Sequence, residues 1–287
     1  MNAEGEQPIR ARSSERDRKH IPGLELSRRF YWEAIRPQVD AYAPGLRHAA
    51  ALIGPGSEVL GFDDETSTDH HWGPRVMLFV DAADHAAHAE RVHAWLAERL
   101  PYKFLGYATH FTPPDPDDNG TQLRQTITQG PINHRVSVAV LGDFTRHYLG
   151  WAGTQPLTPA DWLSFPAQKL ATLSAGEVYH DDLGPDGPSA LQAQLAYYPR
   201  DVWLYRLAAG WARLGQEEHL MGRAGSVGDE LGAALIGARL VRDVMNLAFL
   251  MERQYAPYPK WFGTAFRQLA CAEALLPWLT QAVAAPM

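Results

Sequence analysis

Residues 53–72 read IGPGSEVLGFDDETSTDHHW. Gly54-Pro55-Gly56 is a turn whose backbone N–H groups can approach an anion closely, because glycine carries no Cβ to obstruct it. Ser57 adds a hydroxyl donor. Twelve positions after Ser57 stands Asp69-His70-His71. Side chains at i and i+2 of a strand leave on the same face, roughly 6.5–7 Å apart. A strand here would let Asp69 and His71 reach one metal ion, and His70 would point away. Two ligands on a strand edge beside a phosphate-binding turn describe a clamp for a metal-bound triphosphate.

Outward from this stretch, the elements fall into two kinds. Upstream, residues 24–43 carry Phe30, Ile35 and Val39 near one helical face, and Pro44-Gly45 ends the helix. HAAALIG, residues 48–54, reads as a helix end or a buried strand entering the turn. Downstream, RVMLFV (75–80) and HRVSVAVL (134–141) are strands by apolar run and β-branched alternation. FLGYATHF (104–111) also reads as a strand. Asp81 or Asp84 caps a helix running to about Leu100, and PPDPDDNG (113–120) is a polar loop. Beyond about residue 144 the β pattern fades into helices, interrupted by the loop HDDLGPDGP at 180–188. The expected class is therefore α+β: a small mixed sheet with flanking helices, followed by an all-helical C-terminal domain. The reading divides the chain into a flexible tail (1–20), an α/β domain (21–150) and a helical domain (151–287), with the boundary between residues 145 and 157.

Composition narrows the function classes. Of 287 residues, 46 % are hydrophobic and 21 % charged, which fits a globular chain and excludes general disorder. The net charge of −7 argues against a polyanionic partner, so nucleic acid is disfavoured. Cys271 is the single cysteine and lies in an apolar stretch, so no intrachain disulfide forms and no oxidising compartment is needed. No apolar run approaches the ~18 residues of a membrane span. The first 20 residues lack the apolar segment of a secretory signal. The expected location is cytoplasmic.

Gly-Ser, a gap of about a dozen residues, then Asp-x-(Asp/Glu) resembles the signature of the polymerase-β-like nucleotidyltransferase superfamily. The stretches IGPGSEVLGFD, STDHHWGPR, LSAGEVYHDDLG, LAYYPRDVWLY, MGRAGSVGDELG and RLVRDVMNLAFLMERQYAPYPKWFG are together similar to a bacterial family denoted domain of unknown function 4037. That likeness spans roughly residues 22–280. The resemblance implies a nucleotidyltransferase-like N-terminal sheet and metal-dependent transfer of a nucleoside monophosphate from an NTP to a hydroxyl of a small molecule or protein. It implies Asp69 and His71 as ligands of Mg or Mn, and Gly56 and Ser57 as phosphate contacts. His71 stands where the superfamily has a carboxylate. Imidazole brings no negative charge and suits Mn²⁺ or Zn²⁺ better than Mg²⁺. The alternative is accordingly a non-catalytic nucleotide-binding or regulatory relative.

A third carboxylate completes such a site. Asp143 is the first candidate, with a helix cap as its other reading; Glu177 is the second, with a solvated helix residue as its other reading. Arg75 is either a phosphate contact or the partner of the local acids. Lys260, between Pro259 and Trp261 in a rigid two-proline bend, is either a nucleotide contact from across the cleft or part of a packed corner.

Overall fold

A computed structural model of the chain describes residues 20–68, 71–153 and 155–284. The expected tail therefore lies almost wholly outside the described residues, and so does Asp69. The chain opens with α1 (Gly23–Phe30), a π-helical turn and α2 (Arg36–Tyr42). Then come β1 (Ala49–Leu52), β2 (Arg75–Phe79), α3 (Ala82–Arg99), four two-residue strands β3 to β6 between Lys103 and Gln125, and β7 (Arg135–Ala139). Helices α4 (Leu141–Leu149), α5 (Pro159–Ser164) and α6 (Ala167–Ala175) follow. After β8 (Glu177–Asp181) the chain is helical: α7 (Pro188–Gln194), α8 (Arg200–Ser226), α9 (Glu230–Met251), α10 (Pro259–Phe266) and α11 (Ala272–Ala284). The α+β layout is as the sequence indicates. No helix among the described residues is long and apolar enough to cross a membrane.

The central sheet has the order β7-β2-β1-β8. β1 runs antiparallel to both neighbours, and β2 runs parallel to β7. Three consecutive alanines, Ala49 to Ala51, are fully buried, because helices cover both faces of this strand. On one face Ala50, Val76, Leu78 and Val136 pack against Leu26, Phe30, Ile35 and Val39 of the N-terminal helices and Leu96 of α3. On the other, Ala49, Ala51, Ile53 and Phe79 pack against Trp162, Leu170, Leu173, Leu195 and Tyr255. The helices of the C-terminal half thus supply the second cover of the sheet.

Three local readings need correction. The stretch at 104–111 is not one strand. Leu105 and Gly106 both have positive φ (48° and 85°), which folds β3 back on β4 as a tight hairpin. β8 arises inside the part expected to be helical and forms the sheet edge beside β1. It fits because Gly176 precedes it: a Cβ there would stand 2.5 Å from the Leu52 carbonyl oxygen. The run Asp63-Asp64-Glu65 reads from sequence as a solvated acidic loop, yet the Asp63 side chain is only 2 % exposed. The Asp81 cap is as expected, accepting from the Asp84 N–H at 2.8 Å.

His134, at the entry to β7, is buried with both ring nitrogens engaged. Nε2 donates to the His93 carbonyl (3.0 Å) and Nδ1 accepts from the Val136 N–H (3.1 Å). Burial pushes its pKa from the usual 6.5 down to about 4. The folded state then binds fewer protons than the unfolded chain as pH falls. Stability is full above pH 6.5 and is lost progressively toward pH 4, a change of roughly 3 kcal/mol. Urea unfolding at pH 7 and pH 4 is the check. In His134→Gln the loss between these two pH values should be smaller by about that amount; an unchanged loss would show that His134 is not its source.

Candidate functional site

The site is built where β1 leaves the sheet and β2 and β7 enter it. Leu52 leads through Ile53 into Gly54 (φ 86°) and Gly56 (φ 147°), conformations that favour glycine. Gly54 donates its N–H to the Thr172 carbonyl, which fastens the turn to α6. A Cβ on Gly56 would lie 2.5 Å from an Arg75 nitrogen and 2.6 Å from a Glu58 oxygen, so glycine leaves the room this ion pair occupies.

Arg75 begins β2 and is laced into the turn. Its Nε donates to Glu58 Oε1 at 2.8 Å and its Nη2 to the Pro55 carbonyl at 2.8 Å. Arg75 and Glu58 side chains are only 13 % and 6 % exposed. The partner-of-local-acids reading of Arg75 describes these contacts. Glu58 is that partner, inside the short helical turn Glu58–Leu60.

Arg135 begins β7 directly beside Arg75 in the parallel register. Arg75 alternates with Met77 and Phe79, and Arg135 with Ser137 and Ala139, so both side chains leave on the face covered by the C-terminal helices. Arg135 Nη1 stands 2.6 Å from His71 Nδ1, and its guanidinium lies over the Phe111 ring. A guanidinium can only donate, so Nδ1 accepts and the proton of a neutral His71 sits on Nε2. His71 itself has φ 55° and donates its backbone N–H to the Gln122 carbonyl. It lies before β2 in left-handed backbone, so the strand expected to carry Asp69 and His71 is not formed at His71. Among the described residues, no group of three or more His, Cys, Asp and Glu side chains is placed to hold a metal ion. His71 turns its Nδ1 lone pair onto the Arg135 guanidinium, and its expected partner ligand Asp69 lies outside the described residues.

The other expected residues divide by position. Ser57 is reached from the C-terminal half: Trp261 Nε1 donates to its Oγ at 3.0 Å, and the Tyr258 hydroxyl lies 3.0 Å away. The Trp261 ring also stacks on Phe62 at 5.4 Å. Lys260 is exposed, with its ammonium 5.0 Å from the Trp261 ring centroid. The bend therefore contacts the turn through Tyr258 and Trp261, not through Lys260. Glu177 pairs with Leu52 at the same end of the sheet, but it shares the α1 face with Tyr179 and binds Arg28 at 3.0 Å. Its solvated-helix reading is corrected: it sits on β8. Asp143 lies in the first turn of α4, beyond the exit of β7, exposed and paired with Arg146. That is the end of the sheet opposite the glycine turn, and Val140, not Asp143, is the cap residue.

Residues 162–262 match the family of a domain of unknown function, DUF4037. The matched segment runs from Trp162 of α5 to Phe262 of α10, and it contains Glu177, Tyr258, Lys260 and Trp261. The glycine turn and the 69–71 motif lie outside it. No curated protein and no solved structure matches the chain. The matched segment thus meets the turn through Tyr258 and Trp261. Sequence reasoning missed Glu58 and Arg135 at this site. The sequence carries one hint, the shared start of two strands, Arg75-Val76 and Arg135-Val136; it brings the arginines to one sheet end only because the strands run parallel, which the sequence does not disclose.

Proposed function

We propose that this chain binds a nucleoside triphosphate at the Gly54–Ser57 turn and transfers its nucleoside monophosphate to a hydroxyl of a small molecule or protein, in the cytoplasm. The observation that carries the reading is the meeting of the glycine turn with Tyr258 and Trp261 of the DUF4037 segment, next to Arg75 and Arg135. Glycine N–H groups and guanidiniums are the neutral and charged donors that a phosphate chain requires. In the reaction the acceptor oxygen bonds to the α-phosphorus as the bond to pyrophosphate breaks, and the hydroxyl proton passes to water or to the departing pyrophosphate. Donors fixed beforehand around the phosphates stabilise the charge that moves onto the leaving group. In superfamily enzymes a divalent metal adds to that stabilisation. The likeness to that superfamily rests on the 53–72 motif, and Asp69 is its one carboxylate in the 69–71 triplet.

A second reading, a nucleotide-binding regulator without turnover, is favoured by one contact. His71 spends Nδ1 on Arg135, while Asp143 and Glu177 stand away from it. Calorimetry with each NTP in Mg²⁺ or Mn²⁺, paired with a pyrophosphate-release assay, separates the two. Binding with release, lost in Asp69→Ala, is the expected result for transfer. Binding without release selects the regulator, and absence of binding to every NTP removes both.

A further inference from the structure

A cavity of about 470 Å³ opens on the sheet face over β2 and β7, lined among others by Arg75, Arg135, Gln122, Ser137, Phe144 and Pro55. Its charge does not balance. Glu58 serves Arg75. Among the described residues Arg135 meets the His71 ring nitrogen and the Phe111 face, and no carboxylate comes within ion-pair distance of it. A half-buried guanidinium without a counter-ion is costly to maintain. Burial, and secondarily the neighbouring Arg75, push its pKa down to about 10, with Glu58 opposing, so it remains a cation at neutral pH. This local excess of positive charge stands in a chain whose net charge is −7.

We infer that this cavity is a phosphate site, in which Arg135, with Arg75 beside it, binds a phosphate-bearing ligand. Arg135 presents a planar guanidinium to more than one oxygen, the geometry that suits a phosphate better than a point contact does, while Arg75, whose Nε and Nη2 are held by Glu58 and Pro55, adds Nη1 and its charge beside it. One N–H of Arg135 is used on His71, and others remain for oxygens of the ligand. The exposed Ser137, on the same face, places a hydroxyl two positions along β7. The phosphate belongs either to the nucleotide of the proposed reaction or to a phosphorylated acceptor; both would use the same cations. The site shares Arg75 and Arg135 with the proposed nucleotide site, but its cavity and charge call for a phosphate whichever molecule carries it.

Full-length protein titrated with inorganic pyrophosphate, ATP and glucose 6-phosphate tests it, with binding read by calorimetry and thermal melting. Wild type is expected to bind pyrophosphate and to melt at higher temperature in its presence. Arg135→Met should lose about tenfold to a hundredfold in affinity, the share of one or two charge-assisted hydrogen bonds. Without ligand it should melt no lower than wild type, since an unpaired charge has been removed. Arg135→Lys, which keeps the charge without the fork, should be folded and weakened several-fold; it decides the matter if the Met variant does not fold. Preference for ATP assigns the site to the nucleotide, and preference for glucose 6-phosphate to the acceptor. Pyrophosphate binding that needs Arg135, with no NTP bound better than pyrophosphate, keeps the site and removes the nucleotide reading. ATP binding unchanged in both variants overturns the site and leaves the nucleotide reading standing. Failure of wild type to bind any of the three overturns it as well.

Discussion

Glu58→Ala should destabilise the fold by about 3–5 kcal/mol, the range for removing one partner of a buried ion pair. Glu58 is 5 % exposed and, among the described residues, is the carboxylate that Arg75 binds. Among the described residues, its loss would leave no carboxylate beside the guanidiniums of Arg75 and Arg135, which start neighbouring strands in register. The strand register prevents either from moving far. The pair itself need not be worth much: replacing both members with apolar residues of similar size is often neutral. The double variant Glu58→Leu/Arg75→Met should therefore recover most of the loss. Urea denaturation of the two singles and the double gives the coupling. If Glu58→Ala costs under about 1 kcal/mol, the pair behaves like an exposed one and the charge argument at this end of the sheet fails.

Asp63→Ala should cost a similar amount, about 3–5 kcal/mol, for a different reason. One oxygen, Oδ2, accepts the Gly23 N–H at 2.7 Å and the Trp72 Nε1–H at 2.9 Å, and His20 Nε2 lies 3.4 Å from it. Gly23 is the first residue of α1, whose own N-cap, Pro22, offers no side-chain acceptor. Asp63 thus caps a helix from forty positions away and complements its dipole. Hydrogen bonds to a charged group are worth about 1.5–3 kcal/mol each, and both donors would be left buried. Asp63→Asn retains an acceptor oxygen and should lose much less. Equal losses in the Asn and Ala variants would show that the charge, and not the acceptor, is what matters.

What the sequence disclosed, and what it hid, follows from how far each signal reaches. RVMLFV and HRVSVAVL announced β2 and β7 because strand patterning is written into consecutive residues, and Gly54-Pro55-Gly56 announced its turn for the same reason. β8 was hidden: five residues between glycine and a polar loop carry too little pattern, and its partner is β1, far upstream. Asp63 was hidden because DDE looks alike at all three positions, and only the arrival of Gly23 and Trp72 makes one of them different. At the site, Gly56, Ser57 and Arg75 were legible by type. Arg135 was not, since nothing near it in sequence tells that its strand lies parallel to β2. The two-proline bend was singled out for its lysine, whereas the aromatic residues on either side reach the turn: a hydroxyl such as Ser57 Oγ is met as readily by an indole N–H as by an ammonium.

The Ser57–Trp261 bond joins positions 204 residues apart. A ribosome adding about 5–20 residues per second needs some 10–40 s to travel that distance. Throughout that interval the glycine turn has been made, but the residues that clasp it have not. Whatever chemistry the turn supports is therefore silent in the nascent chain and begins only when synthesis has passed the last of the aromatic residues that hold it.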